Sequence, residues 1–172
     1  MLPGETGPLT KLFIAGIPGC AKTPFADWLR DDFGFLHVDM ELLSDEFRQF
    51  ILQHGYNLRW LFEEMSRLSP CVVVSWGFPS EALANVRALH GSDVRLIWFD
   101  GDREVACKNW TRKTGQPDAQ FRMQVATIDA HIAEIRRLFG EGWTEVITPD
   151  GRPAVFTEIL DRLRIQPRFR KV

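Results

Sequence analysis

The sequence has few cysteines and no excess of charge of either sign. Its 172 residues include only Cys20, Cys71 and Cys107, which lie too far apart for a zinc-site spacing or a disulfide framework. The formal net charge of -2 gives no general affinity for nucleic acid or for a membrane surface. No apolar run approaches the length of a membrane span, and the first ten residues lack a signal-peptide pattern. These absences favour one domain, residues 1–172, in a reducing cytoplasm.

What the sequence does contain is a regular alternation of predicted strands and helices. Short apolar runs predict strands at residues 12–15, 35–40, 71–76, 94–99 and 145–148. Helices are predicted at residues 22–33, 41–54, 58–68, 102–113 and 153–163, with one ending near 90 and a long one at 119–139. Residues 1–10 are predicted to be a loose leader. This alternation predicts a three-layer α/β/α fold with a parallel sheet of five strands, whose carboxyl ends carry the active residues.

The loop after the first predicted strand nearly matches the phosphate-binding pattern G-x-x-x-x-G-K-[ST]. Its residues are Gly16, Ile17, Pro18, Gly19, Cys20, Ala21, Lys22 and Thr23. Successive backbone N–H groups at a helix N-terminus can cradle a phosphate chain. Lys22 would then reach the β- and γ-phosphates of ATP, and the Thr23 hydroxyl would ligate Mg²⁺. The alternative is a strand-turn-helix with an incidental lysine.

Ala21 is the one departure from the loop pattern, which has glycine at this position. A methyl group is harmless there if φ is negative. It costs roughly 1 kcal/mol or more if φ is positive. The backbone angle at Ala21 is therefore the quantity that decides how well the loop tolerates the substitution.

The second predicted strand ends in Asp39, which is the candidate acid of the acceptor side. Its carboxylate could take the proton of an attacking hydroxyl or hold a magnesium-bound water; the alternative is an N-cap for the next helix. His37 lies on the same side of the strand and is interpreted as a structural histidine. Arg48 could grip an anionic group of the acceptor, or it could be a solvated helix residue, and Arg59 has the same two interpretations.

The third predicted strand ends in Ser75, Trp76 and Gly77, where many phosphate-loop proteins have an aspartate. Ser75 could position a water or an acceptor hydroxyl, and Trp76 could stack on a ring or belong to the core. The sequence leaves the same choice between acceptor pocket and core for a set of aromatic residues: Phe47, Phe50, Trp60, Phe62 and Trp76.

Residues 102–125 form a basic stretch that is predicted to be a lid. Its cations are Arg103, Lys108, Arg112, Lys113 and Arg122. A phosphoryl group in transfer develops charge that such residues stabilise, and Arg112 and Lys113 are the best candidates. The alternative is an ordinary solvated helix surface.

Taken together, these segments resemble the small-molecule branch of the phosphate-loop kinases, namely the gluconate, shikimate and adenylate kinases. The resemblance rests on IPGCAKT in the loop, FLHVDM in the second strand, SDEFR at residues 44–48, and KTGQ followed by QVATI in the lid. Of the Asp-x-Asp pattern in these families only Asp39 is present. An arginine expected on the helix before the lid falls near Lys108 and Asn109 and is not clearly present.

The resemblance implies a P-loop kinase fold with the kinase strand order, ATP and Mg²⁺ as cofactors, and a turn at residues 149–153 that lines the adenine. It implies transfer of the γ-phosphoryl group of ATP to a small hydroxylated or anionic metabolite, by a monomer or homodimer with no membrane partner. One alternative is a kinase of nucleotides or polynucleotide ends, although the basic tail of Arg168, Arg170 and Lys171 is short. The other alternative is a nucleotide-binding module with weak or no catalysis.

Overall fold

A computed structural model describes residues 10–77 and 82–166. Residues 1–9 of the predicted leader and the basic tail therefore lie outside the described residues, whereas Thr10 belongs to the first strand. The strands are β1 (Thr10–Gly16), β2 (Leu36–Asp39), β3 (Cys71–Ser75), β4 (Val94–Gly101) and β5 (Trp143–Ile147). The helices are α1 (Lys22–Phe33), α2 (Asp45–Gln53), α3 (Leu58–Leu68), α4 (Ala82–Arg87), α5 (Arg103–Thr114), α6 (Asp118–Asp129), α7 (Ile132–Phe139) and α8 (Phe156–Arg162).

The five strands form one parallel sheet in the order β2-β3-β1-β4-β5. The apolar centre of β1 pairs on one side with β3 and on the other with β4, so Leu12 to Ala15 are almost completely buried. A strand covered on both faces needs a continuous apolar run, and this run was the pattern that the sequence showed. The predicted three-layer α/β/α fold with a five-stranded parallel sheet is confirmed.

Helices cover both faces of the sheet, as right-handed crossovers require. On one face α1 packs over β1, β2 and β3, and the first residue of α8 joins it, because Phe156 contacts the rings of Phe25 and Trp28. On the other face α3 packs on β3, and α7 packs on β4 and against α4. All five strands thus point their carboxyl ends to the same edge, where β1 leads into the loop before α1.

Three helix boundaries differ from the sequence prediction. The long helix predicted at residues 119–139 is two helices, because α6 packs on α5 while α7 turns back to bury Ile135 and Phe139 on the sheet. The helix predicted from residue 41 begins at Asp45, where the Ser44 side chain accepts a hydrogen bond from the Phe47 N–H. The last helix begins at residue 156, since Pro153 still pairs with Ile147.

Two other features of the structure concern membrane-spanning helices and the cysteines. Within the described residues, no helix is both long enough and apolar enough to cross a membrane. The three cysteines are free thiols, of which Cys20 and Cys107 are buried and Cys71 is half-buried.

Candidate active site

The loop between β1 and α1 is fixed from both ends. The Ile17 N–H donates to the Phe99 carbonyl of β4 over 3.1 Å, which holds the start of the loop against the sheet. Gly19 has a φ of 77°, and a Cβ atom there would lie 2.2 Å from the Ala106 carbonyl oxygen of α5. Only glycine fits so close an approach, so the loop passes directly against the first helix of the predicted lid.

Ala21 adopts the left-handed conformation, with φ of 53° and ψ of 28°. This is the costly case of the two that the sequence left open, because a left-handed backbone costs a side chain with Cβ about 1–2 kcal/mol. The loop is nevertheless not collapsed. Helix α1 begins at the next residue, and the Ala21 carbonyl accepts the Phe25 N–H at 3.1 Å. The loop therefore carries local backbone strain at the position where the motif has glycine.

The side-chain amine of Lys22 lies inside the loop. Its Nζ donates to the carbonyl oxygens of Gly16 at 3.1 Å and Ile17 at 2.8 Å, and the residue is only 9% exposed. Burial lowers the pKa of the Lys22 amine from its ordinary value, while the negative charges of Glu41 and Asp39 act in the opposite direction. Within the part of the chain that the structure describes, the backbone N–H groups of Lys22 and Thr23 donate to no other residue. An ammonium group and free N–H donors together form a site suited to phosphate oxygens.

The Cys20 side chain is buried near the Lys22 amine, and burial keeps its thiol protonated. Burial raises the pKa of the Cys20 thiol to about 12, and the side chain has no solvent exposure. A protonated, buried thiol is neither a nucleophile nor a metal ligand. Cys20 therefore fills the space under the loop and contributes packing.

Thr23 and Asp39 are joined by a hydrogen bond. The Thr23 Oγ1 donates to Asp39 Oδ2 over 2.9 Å, and the Glu41 N–H donates to Asp39 Oδ1 over 2.9 Å. Asp39 does not cap a helix, because Ser44 caps α2. The structure therefore brings the predicted magnesium ligand and the predicted acceptor acid into direct contact.

His37 and Ser75 have structural partners. The ring nitrogens of His37 lie 3.0 Å from Asp27 Oδ1 and 2.9 Å from Ser75 Oγ, and the ring connects α1 to β3. Ser75 is 2% exposed, so its hydroxyl is held inside the protein rather than presented to a ligand. This geometry agrees with the interpretation of His37 as a structural histidine.

A cleft of about 590 Å³ runs over the loop and under the two helices α5 and α6. The helices form a hairpin, in which Trp110 contacts Phe121 and the Thr111 hydroxyl donates to Asp118. The stretch Pro18–Pro24 lines the cleft, and so do Arg112 and Lys113 of α5. Further lining residues are Glu41, Gly77, Asn109, Trp110, Thr114, Gln124, Val146, Ile147, Gly151, Pro153, Ala154 and Phe156.

The cleft thus unites several of the predicted site residues. Lys22, Thr23, Arg112, Lys113 and Gly77 all line it. The positive charge of Lys113 is close enough to contribute to the lowered pKa of Lys22. From the segment predicted to line the adenine, Gly151 and Pro153 reach the cleft. Asp39 lies beyond Thr23, in a second groove of about 500 Å³ that Thr23 and Asp39 line together.

Other predicted acceptor residues lie elsewhere. Arg48 and Arg59 are exposed and line neither the cleft nor the second groove. Trp76 is half-buried and stacks on Tyr56 at 5.9 Å between ring centroids. Phe62 is a core residue.

The remaining predicted pocket aromatics form a ring cluster on α2 and α3. Phe50 and Trp60 are 5.0 Å apart, and His54 stacks on Trp60 at 3.7 Å. Phe47 stacks on Phe50 and lines the second groove.

Glu41 and Trp110 are among the cleft residues that the sequence analysis did not single out. Glu41 follows Asp39 by two residues, and this Asp-x-Glu spacing was the signal that could have indicated a second acid. Trp110 lies in α5, whose apolar residues show little helical periodicity. An aromatic residue among charged neighbours could have indicated its half-buried position. Both belong to the walls that face the loop.

A loop that nearly matches the phosphate-binding pattern, on a five-stranded parallel sheet of this order and beside a helical hairpin, defines the fold. The chain has the fold of the P-loop small-molecule kinases. One similar structure is a gluconokinase from Sinorhizobium meliloti 1021, with 17% identity and a TM-score of 0.52 over 90% of this chain and 89% of that chain. A second is a shikimate kinase from Bacteroides thetaiotaomicron, with 15% identity and a TM-score of 0.52 over 90% of this chain and 96% of that chain.

A third similar structure is a sugar kinase from Janibacter sp. HTCC2649, with 17% identity and a TM-score of 0.56 over 93% of this chain and 97% of that chain. No protein-family model and no curated protein sequence matches the chain. At these identities the likeness shows the fold, and it agrees with the kinase resemblance drawn from the sequence.

Proposed function

We propose that the protein is an ATP-dependent phosphotransferase that moves the γ-phosphoryl group of ATP to a small hydroxylated or anionic metabolite. The observation that carries this proposal is the position of the Lys22 amine. It lies inside the loop, in the same cleft as Thr23, Arg112 and Lys113. The kinase fold of the neighbouring structures supports the same reaction class.

The donor groups of the loop fit a triphosphate and a magnesium ion. Lys22 and the free N–H groups of α1 would hold the β- and γ-phosphates, for which a buried cation at a helix N-terminus is suited. The Thr23 hydroxyl has lone pairs for Mg²⁺, because it uses its proton in the bond to Asp39. When bound there, ATP with Mg²⁺ supplies the phosphoryl group and the leaving group, ADP.

Asp39 and the hairpin residues have complementary roles. Asp39 accepts the proton that the acceptor hydroxyl loses as its oxygen bonds to the γ-phosphorus and the bond to ADP breaks. Arg112 and Lys113 line the same cleft and would balance the charge that develops on the transferred group. The α5–α6 hairpin is thereby the lid that excludes water from the cleft.

The proposal is tested by acceptor-dependent release of ADP, measured over a panel of polyols, sugar acids and nucleotides. We expect Lys22→Ala, which removes the phosphate-binding cation, and Asp39→Asn, which removes the proposed general base, each to lower kcat/KM at least about 100-fold. Asp45→Asn, at an exposed position of α2, is the matched control and should keep wild-type turnover. Undiminished turnover in both site variants would contradict the proposed roles of Lys22 and Asp39.

A nucleotide-binding module without catalysis is the second candidate, and two observations favour it. The loop is strained at Ala21, and Ser75 at the end of β3 is committed to His37. Tight ATP binding by the wild-type protein, without ADP release for any acceptor in the panel, would establish this second candidate in place of the first.

A further inference from the structure

Another cavity lies at the edge of the sheet where the strands begin, opposite to the edge that carries the cleft. It lies between residues 89–91, 94–96 and 162–164 and the end of α7, and we call it the amino-edge cavity. Its volume of about 640 Å³ is in the range of small-molecule sites. The strand β4 crosses the sheet from this cavity to the opposite edge over roughly 23 Å, so the amino-edge cavity and the cleft are separate.

The amino-edge cavity has an excess of positive charge. Arg95 of β4 lines it together with Arg162 and Arg164 from the end of α8, and all three are exposed to solvent. The acid in its lining is Glu141, and within residues 10–77 and 82–166 no ion pair joins a carboxylate to any of these arginines. This local excess occurs in a chain whose formal net charge is -2.

A hydrogen bond brings the three arginines together. The Arg95 Nη1 donates to the Leu163 carbonyl, and Arg162 and Arg164 are the neighbours of Leu163 in the chain. A guanidinium group has five N–H donors, so most of those of Arg95 remain available. The guanidinium groups of Arg162 and Arg164 donate to no acceptor that the described part of the chain provides. The cavity therefore presents many charged donors without protein acceptors.

Arg164 adopts a backbone conformation that favours glycine. Its φ is 51°, and its N–H donates to the Asp161 carbonyl at 3.0 Å. The Ile165 N–H donates to the Leu160 carbonyl at 2.9 Å, which closes the end of α8 in the way that helices commonly end with glycine. Because a residue with Cβ is strained at this angle, stability alone would favour glycine. The guanidinium group at the cavity accounts for an arginine there, and the backbone does not.

The chemistry of these donors indicates the ligand. The planar guanidinium group binds phosphate and carboxylate oxygens with two parallel hydrogen bonds. Three such groups around one cavity suit a molecule with more than one negative group. We infer that the amino-edge cavity binds a small polyanion, whose phosphate or carboxylate groups accept hydrogen bonds from Arg95, Arg162 and Arg164. This second ligand site goes beyond the proposed phosphotransferase function and does not depend on it.

Isothermal titration calorimetry with pyrophosphate and with citrate tests this inference, without added metal and at fixed ionic strength. We expect a Kd of roughly 1 mM or tighter for at least one of the two, as a few charge-assisted hydrogen bonds provide, and no measurable binding of acetate. Arg95→Gln and Arg162→Gln should each weaken binding about tenfold. The tighter of the two probes identifies phosphate or carboxylate as the preferred group.

Arg164→Gly separates the loss of binding from a loss of structure. It should weaken binding about tenfold while it raises Tm by roughly 2 °C, because glycine adopts the left-handed angle without strain. A variant that is more stable and binds less tightly cannot owe its weaker binding to unfolding.

Two controls separate the amino-edge cavity from other cations. Arg59→Gln removes the same charge from an exposed position of α3 outside the cavity and should keep the wild-type Kd. Each titration is repeated in a Lys22→Ala background, because the loop after β1 is itself suited to phosphate oxygens. The binding that depends on the three arginines should persist in that background.

Three outcomes would overturn the inference: no binding of either probe, equal weakening by Arg59→Gln and Arg95→Gln, or binding that disappears in Lys22→Ala and is unchanged in the three arginine variants. None of these outcomes bears on acceptor-dependent release of ADP, which tests the phosphotransferase function separately.

Discussion

At the scale of single residues, Ala21 is the position where the loop departs from its motif at an energetic cost. Its φ of 53° is one that glycine adopts freely and alanine does not. We expect Ala21→Gly to raise the free energy of unfolding by about 0.5–1 kcal/mol, the relief of strain less the added entropy of glycine in the unfolded chain. Denaturant unfolding followed by circular dichroism measures this change.

The control for Ala21→Gly is the same substitution where the backbone is helical. Ala126 is exposed within α6, and Ala126→Gly should lower the free energy of unfolding by about 1 kcal/mol. Opposite signs for the two variants would establish that the left-handed angle is the cause. A loss of stability in both would show that the loop does not carry the inferred strain.

The sequence indicated some residues of the candidate site and did not indicate others. Lys22 and Thr23 follow β1 at a spacing that local geometry fixes, so their approach to the loop could be expected from the pattern. The backbone angle of Ala21 depends on how the loop meets β4 and α5, which the pattern does not contain. Glu41 was missed because residues 41–44 were predicted to be the first turn of a helix. In the structure the Met40 N–H donates to the Ser75 carbonyl and the Glu41 N–H donates to the Asp39 carboxylate, and α2 begins only at Asp45.

At the scale of elements, the α5–α6 hairpin gives the cleft its cationic wall. We expect Arg112→Ala and Lys113→Ala each to lower kcat/KM by roughly 100-fold, the loss typical of removing one group that stabilises transition-state charge. Steady-state ADP release with the best acceptor measures the effect.

Lys108 provides the matched control for the hairpin variants. It is an exposed cation of the same helix and does not line the cleft, so Lys108→Ala should keep wild-type kinetics. Equal losses for Lys108→Ala and Arg112→Ala would mean that the net charge of α5, rather than its position, sets the rate.

The hairpin also shows why helix boundaries were harder to predict than helix existence. Residues 119–139 have helical periodicity throughout, and no proline or glycine interrupts them. The break at Ala130 and His131 arises because α6 and α7 bury their apolar residues against different partners, α5 and β4. Such a division is set by tertiary packing, and a local pattern does not reveal it.

At the scale of the whole molecule, the alternation of strands and helices predicted the fold because buried parallel strands have a distinctive apolar run. The order β2-β3-β1-β4-β5 agrees with the order implied by the kinase resemblance, whereas periodicity alone gave no pairing. β1 lies at the centre of this order, so the loop that follows it is supported by strands on both sides. The site is therefore attached to the most rigid part of the sheet.

A ligand that binds the folded state and not the unfolded state raises the free energy of unfolding of the domain. At 100 times the Kd, ATP with Mg²⁺ should add about 2.7 kcal/mol to the free energy of unfolding, which is roughly 5–10 °C in Tm for a chain of this size. Differential scanning calorimetry with and without MgATP measures the shift.

Lys22→Ala is the companion variant for this measurement. It should melt as a folded protein and show a much smaller shift at the same MgATP concentration, because the ammonium group within the loop is gone. An unchanged Tm of the wild-type protein at millimolar MgATP would contradict nucleotide binding in the cleft.

The hydrogen bond from Thr23 to Asp39 has a consequence for the proposed reaction. The Asp39 carboxylate accepts a hydrogen bond from the Thr23 hydroxyl, which leaves the lone pairs of the Thr23 oxygen available to a cation. If Asp39 took a proton from the acceptor, its carboxyl group would become a donor and would compete for those same lone pairs. The residues that would hold Mg²⁺ would then bind it less tightly after the transfer than before it.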